Sequence, residues 1–208
     1  MKESVLQADA VPQSKCLIIE DDTLVAMGLR ATLERLGHVV VGDACTAAEA
    51  EEVFEKQRPD LVLMDIRLGS DDGIELSRKL LAKRPVPIVI VSAYGDKELI
   101  DRAAAAGVFG YLIKPVDRES LSAQIEVAVN RFRDHMLLLA EKQALEHTLE
   151  TRKLVEKAKG IMMKRMNLSE AEAHKRLQQE SQKRRQSIGE LAKKLIESED
   201  VLHGDGSS

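Results

Sequence analysis

Leu61-Val62-Leu63-Met64-Asp65 is an apolar run closed by an acid. Four consecutive apolar side chains leave no polar face, so the run reads as a strand covered on both sides, as in a parallel sheet. Asp65 then stands where the strand leaves the core. Three further runs end in the same way. Cys16-Leu17-Ile18-Ile19 leads into Glu20-Asp21-Asp22, Ile88-Val89-Ile90-Val91 into Ser92, and Val108-Phe109-Gly110-Tyr111-Leu112-Ile113 into Lys114-Pro115. Ligands of open α/β sheets collect at the carboxyl ends of the strands. Such a sheet would bring acids, a hydroxyl and an ammonium to one edge. Packed carboxylates repel one another and are tolerable only around a bound cation or as a reactive site.

Working outward, short apolar runs alternate with amphipathic stretches over residues 15–130. The pattern predicts strands near 16–20, 39–43, 61–65, 87–91 and 109–113. Helices fall at about 22–36, 46–57, 72–83 and 96–106, with another from about 118. Gly37, Arg58-Pro59, Arg84-Pro85 and Gly107 punctuate the elements. The fold class is α/β, a doubly wound five-stranded parallel sheet with helices on both faces. Residues 1–14 read as a disordered leader without a signal-peptide core.

Residues 118–156 contain no Pro and no Gly. Ile125, Val129, Phe132, Met136 and Leu139 step by 4, 3, 4 and 3, a heptad seam. The register then meets polar Gln143 and Glu146, and Leu138, Leu145 and Leu149 take over, as in a stutter. The segment 131–150 is read as a coiled-coil linker that makes a homodimer on phosphorylation; packing on its own domain is the alternative. Residues 151–198 read as a three-helix bundle and 199–208 as a flexible tail. Ser169 and Ser187 are N-cap candidates. Ile161, Met162, Met166, Leu177, Ile188, Leu191 and Leu195 are the expected core, the methionines acting as filler.

Charge divides the chain. The net charge is -4, yet residues 151–196 hold thirteen Lys and Arg against five acids, a net +8, leaving -12 elsewhere. A basic module on an acidic one implies an anionic partner. Aromatics are 2% of the chain, and none follows Phe132. Cys16 and Cys45 are read as inert buried thiols of a reducing cytoplasm. No apolar run reaches 18 residues, so no membrane span is expected.

The strand-end residues suggest phosphoryl chemistry. A carboxylate beside a divalent cation can accept a phosphoryl group. Asp21 and Asp65 would bind Mg²⁺ directly and Glu20 through a water. Lys114 would neutralise the phosphoryl oxygens, and Ser92 would bond to them after transfer. An inert ion-pair network is the plainer alternative. The strings Ile18-Ile19-Glu20-Asp21-Asp22, Leu63-Met64-Asp65-Ile66-Arg67-Leu68, Asp72-Gly73, Val91-Ser92-Ala93 and Gly110-Tyr111-Leu112-Ile113-Lys114-Pro115 resemble the receiver domain of two-component response regulators. The resemblance implies that Asp65 accepts phosphate from a cognate histidine kinase. It also implies that the backbone carbonyl of Arg67 completes the Mg²⁺ site, that Ser92 and Tyr111 form the switch, and that the bond before Pro115 is cis. Gly69 stands where many receivers have Pro, which should loosen the loop.

The tail is similar to the ANTAR RNA-binding module over Arg152–Met163, Leu168–Ala173, Leu177 and Ile188–Ala192. The implied function is a phosphorylation-controlled regulator that binds leader RNA hairpins and prevents transcription termination. It would not be an enzyme beyond its own phosphorylation. Lys157, Lys159, Lys164, Arg165, Lys175 and Arg176 are the expected RNA contacts. His174 stands where many members have an aromatic; it could stack on a base or be a half-buried structural residue. Ser181 stands where many have Ala. Gly160 lies within a helix, where it implies close approach of a neighbouring helix or of RNA backbone. A DNA-binding response regulator and a phosphorylation-dependent protein-interaction regulator are the competing classes.

Overall fold

The computed structural model describes residues 13–204, with backbone alone for 200–204. Of the expected leader and tail, residues 1–12 and 205–208 lie outside the described residues. The described chain divides after Met136 into two compact units.

The first unit follows the expected alternation. Its strands are β1 (Lys15–Ile19), β2 (Val39–Ala44), β3 (Leu61–Met64), the short β4 (Arg67–Leu68) and β5 (Asp71–Asp72), β6 (Ile88–Ser92) and β7 (Gly110–Ile113). Helices α1 (Thr23–Arg35), α2 (Ala47–Gln57), α3 (Gly73–Lys83) and α4 (Lys97–Ala105) lie between them, and α5 (Arg118–Met166) follows. The main sheet has the order β2-β1-β3-β6-β7, every pair parallel. Alternate residues of a strand face opposite sides. Leu17 and Ile19 therefore join Phe54, Met64, Ile74 and Leu80 in one core, while Cys16 and Ile18 join Leu33, Leu63, Leu121 and Ile125 in the other. Chain order reverses between β1 and β3, which opens a crevice beyond their carboxyl ends.

Several acids at that edge are structural. Asp22 caps α1, accepting from Leu24 N–H at 2.8 Å and Val25 N–H at 3.2 Å. Asp72 caps α3 in the same way and pairs with Arg102 of α4 at 2.6 Å. Strands β4 and β5 form a small antiparallel hairpin that the sequence pattern did not predict. Gly69 turns it at φ 62° and donates its N–H to Asp21 Oδ2 at 2.9 Å. Proline has neither that φ nor that donor. Gly69 thus closes the loop after Asp65 instead of loosening it.

The leader and tail expectations need adjustment at their inner ends. Ser14 is buried, and its carbonyl accepts from Val39 N–H at 2.9 Å. Helix α7 (Ile188–Gly204) continues past the expected end at 198. Cys16 is fully buried, and burial, with Asp60 nearby, pushes its thiol up to about 12. Cys45 is exposed, contrary to expectation, because it follows β2 on the surface turn before α2.

The second unit is a helical bundle. Helix α5 passes through Gly160 without a break to Met166, and its last turns form the first helix of the bundle. Ser169 caps α6 (Glu170–Arg184) in a capping box with Glu172. Ser187 Oγ accepts from Glu190 N–H at 3.2 Å at the start of α7. The core is Val155, Ala158 and Met162 of α5, Ala173 and Leu177 of α6, and Leu191, Ala192 and Ile196 of α7. Ile161, Ile188 and Leu195 are partly buried at its margin. Met166 is 48% exposed, so it is not the core residue expected. It is the last residue of α5, just before the turn at Asn167 (φ 51°), and the 155–158–162 stripe already fills the interior.

Candidate functional site

Glu20 and Asp65 follow directly on buried strands and are themselves buried, at 2% and 8% exposure. With Asp21 they place carboxylate oxygens within 4.8 Å of one another. Backbone pairing sets this spacing: Asp65 N–H donates to Ile19 O at 2.9 Å, and Lys114 N–H donates to Ser92 O at 2.8 Å. The Lys114 ammonium donates to Glu20 Oε2 at 2.7 Å and to Asp65 Oδ2 at 2.6 Å. Asp65 Oδ1 accepts from Ile66 N–H at 2.5 Å and, more weakly, from Arg67 N–H at 3.4 Å. Burial pushes the Glu20 carboxyl above its ordinary value, and Lys114 offsets only part of that. Burial also works against the Lys114 charge, but the hydrogen bonds to Asp65 and Glu20 outweigh it and raise its pKa. The lysine therefore stays charged among the acids.

The surrounding residues shape the entrance. Ser92 is fully buried, and its hydroxyl accepts from Tyr94 N–H at 3.3 Å. Half-buried Tyr111 donates its hydroxyl to the Tyr94 carbonyl at 2.5 Å. The Arg67 guanidinium lies 4.4 Å from the centroid of the Tyr94 ring. Tyr94 and the Arg67 side chain were not read as site residues from sequence. Nothing in the local pattern links these two loops; only the sheet brings them together. The Lys114–Pro115 bond is cis, as expected. Gly73 carries a strict requirement: a Cβ there would stand 2.0 Å from the Asp65 carbonyl oxygen.

In the bundle, Lys164, Lys175 and Arg176 are exposed, and none forms an ion pair with another described residue. Lys157 is exposed as well. Arg165 is engaged by Glu199 at 2.8 Å. Lys159 is different. Its side chain is 8% exposed, with the ammonium 2.8 Å from Glu156 and 2.7 Å from Glu170. It ties α5 to the start of α6, so its place is structural and not that of a free phosphate contact.

Comparison with known proteins agrees with this division. Residues 16–126 match the response regulator receiver domain, and residues 143–196 match the ANTAR domain. The chain is 38% identical over 190 residues to the transcriptional regulatory protein PdtaR of Mycobacterium tuberculosis, covering 91% of this chain and 93% of that one. The chain belongs to the response regulators that join a receiver domain to an ANTAR domain. The receiver alone is 33% identical to the transcriptional regulatory protein AfsQ1 of Streptomyces coelicolor, over 55% of this chain and 51% of that one. It also superposes on the signal receiver domain of a modulated diguanylate cyclase from Desulfovibrio desulfuricans, with a TM-score of 0.55 and 37% identity, covering 59% of this chain and 98% of that one.

The expected dimer seam is divided by the receiver. Ile125 is 1% exposed and Val129 partly buried, both against the receiver's own core. Phe132 meets Phe109 edge to face at 5.3 Å, and Met136 is half-buried. These residues pack on their own domain, which was the alternative reading. Leu139, the last of the first register, is 38% exposed. In the second register Leu138, Leu145 and Leu149 are 65%, 60% and 58% exposed. In the ANTAR domain His174 is exposed, not half-buried. A Cβ on Gly160 would meet nothing within 4 Å among the described residues, so none of their helices requires a glycine there. The close approach lies instead at Gly189, where a Cβ would be 3.0 Å from Thr151 Cγ2. Among the described residues no helix is long and apolar enough to cross a membrane.

Proposed function

We propose that Asp65 accepts a phosphoryl group from a histidine kinase, and that this phosphorylation controls the binding of the ANTAR domain to hairpins in leader RNA and so prevents transcription termination. The observation that carries the first half is the Lys114 ammonium held between Glu20 and Asp65. It holds the Asp65 carboxylate oriented and next to a fixed positive charge. In transfer an Asp65 oxygen bonds to phosphorus as the phosphorus–nitrogen bond to the donor histidine breaks, and the electron pair stays on the imidazole. Lys114 then stabilises the charge on the phosphoryl oxygens, and Ser92 stands at the end of the neighbouring strand to bond to one of them.

The all-oxygen donor set within 4.8 Å fits Mg²⁺. Asp21 and Asp65 would hold it directly, Glu20 through a water, with the Arg67 carbonyl as a further ligand. Bound there, the ion would draw negative charge from the phosphoryl group. For RNA, the exposed cations Lys164, Lys175 and Arg176, none of which forms an ion pair with a described residue, support contact with phosphates, and Lys157 is exposed as well. Arg165 would first have to leave Glu199.

The test is incubation with acetyl phosphate and Mg²⁺, followed by intact-mass measurement and RNA binding with salt titration. One phosphate is expected on the protein and none on Asp65→Asn. RNA affinity should rise on phosphorylation and fall with salt by about 0.7 log units per contacted phosphate and log unit of salt for single strands. A phosphate on Asp65→Asn defeats the acceptor assignment. Preference for promoter DNA, or no nucleic-acid binding at any salt, defeats the RNA assignment.

A further inference from the structure

The three helices of the ANTAR domain leave an open groove of about 480 Å³ between them, within the range of roughly 300–1,000 Å³ typical of small-ligand clefts. Its floor is apolar, built by Met162 of α5, Leu177 of α6, and Leu191 and Leu195 of α7. Exposed Met166 forms a lip. The rim is basic, with Arg176 and Arg184 of α6 and Lys194 of α7. Glu180 is the one acid among the described lining residues, and Arg184 Nε engages it at 3.2 Å. Arg176 makes no ion pair with any described residue.

We infer that this groove receives one unstacked nucleobase from the loop of an RNA hairpin, with the flanking phosphates on Arg176 and Lys194. The inference rests on the RNA-binding reading of the ANTAR domain and adds the place where a base is read. Proteins that recognise RNA loops hold splayed bases against aromatic rings or guanidinium planes. This chain has no Phe, Tyr or Trp after Phe132. Apart from the exposed His174, a base must then find its apolar surface elsewhere, and the groove is an open apolar surface beside Arg176, which makes no ion pair with a described residue, and Lys194, whose ammonium donates to the neutral Gln186 at 2.9 Å. Methionine sulfur is polarisable and packs well against aromatic faces. Met162 and Met166, four residues apart on one helix face, put two such groups at the groove. Charge argues against a second copy of the domain as occupant, since two surfaces of net +8 repel. An anionic chain with flat apolar bases satisfies both floor and rim.

The test uses the full-length phosphorylated protein and a hairpin it selects from a pool of random loops on a fixed stem. Versions of that hairpin carry an abasic nucleotide at each loop position in turn. One abasic position should weaken binding by about tenfold, the scale of one stacked base. Leu195→Trp, which fills the groove, should weaken the intact hairpin by a similar factor and be insensitive to that abasic position. Lys194→Glu reverses the rim charge without touching the floor, and it carries the same comparison should Leu195→Trp lose helical content. Additive effects of variant and abasic site, or equal sensitivity at every loop position, would overturn the groove assignment while leaving RNA binding intact. So would a change of sedimentation mass in Leu195→Trp, which would make the groove a contact between copies. A wild-type protein that selects no hairpin removes the RNA reading itself.

Discussion

Gly73 is set by the acceptor it adjoins. The atom that a methyl group would strike is the Asp65 backbone carbonyl, 2.0 Å away, which cannot rotate aside. Gly73→Ala should therefore shift the segment carrying Asp65. The expected stability loss is about 1–3 kcal/mol, the range for overpacking, with slower phosphate uptake from acetyl phosphate. Denaturant titration and timed mass spectra measure both, and normal values for each would contradict the geometry. His38 supplies a pH dependence. It is 8% exposed, its Nδ1 accepts from Ser14 N–H at 3.3 Å, and burial lowers its pKa below 6.5. As pH falls below 6.5 the unfolded chain takes up the proton first. Stability is therefore full above that value, declines as pH drops toward the folded-state pKa, and then levels. His38→Gln should flatten this acid-side decline. Urea midpoints compared at about pH 7.5 and pH 5.5 decide it: an equal decline in both proteins would mean that another group is responsible.

At the scale of elements, α5 changes partner along its length. Its first turns bury Ile125 and Val129 in the receiver and set Phe132 against Phe109. Beyond them Leu138, Leu145 and Leu149 stand in solvent. Phe132→Ala should cost the receiver roughly 1–3 kcal/mol, less than the 3–5 of a fully buried phenyl, because Phe132 is only half-buried. Replacing Leu138, Leu145 and Leu149 together by Ser should leave receiver stability unchanged and abolish self-association. Sedimentation across a concentration series separates these effects. A self-associating triple variant would exclude the second leucine register as a contact between copies.

At the scale of the whole molecule, phosphorylation would act by joining two ANTAR domains through that leucine face. Linking two weak sites raises affinity by roughly 10²–10⁴ without any new contact. Phosphorylated protein should then bind an RNA with two hairpins far more tightly than one with a single hairpin, and the triple leucine variant should lose most of that advantage. Equal affinity for both RNAs in titrations at fixed salt would exclude paired presentation. The charge division, +8 over residues 151–196 against -12 elsewhere, would serve the same mechanism by keeping the basic surface on one module.

The sequence alone determined the sheet, its order of elements and the residues at its carboxyl edge. Fully buried strands must be continuous apolar runs, and what ends such a run is delivered to the edge by the chain itself. Glu20, Asp21, Asp65, Ser92 and Lys114 were legible for that reason, as were the caps Ser169 and Ser187. The tertiary structure alone decided which neighbours those residues meet. The heptad spacing of Ile125, Val129 and Phe132 shows that one face is buried, but a stripe carries no label for its partner, and the receiver took it. The charge of Lys159 shows in the sequence; its distance to Glu156 and Glu170 does not, and that distance makes it a structural lysine. Tyr94 beside Arg67, the hairpin closed by Gly69 and the groove between Met162, Leu177 and Leu191 depend likewise on residues far apart in the chain. Local pattern specifies which atoms must leave water, and only the packed fold specifies what they leave it for.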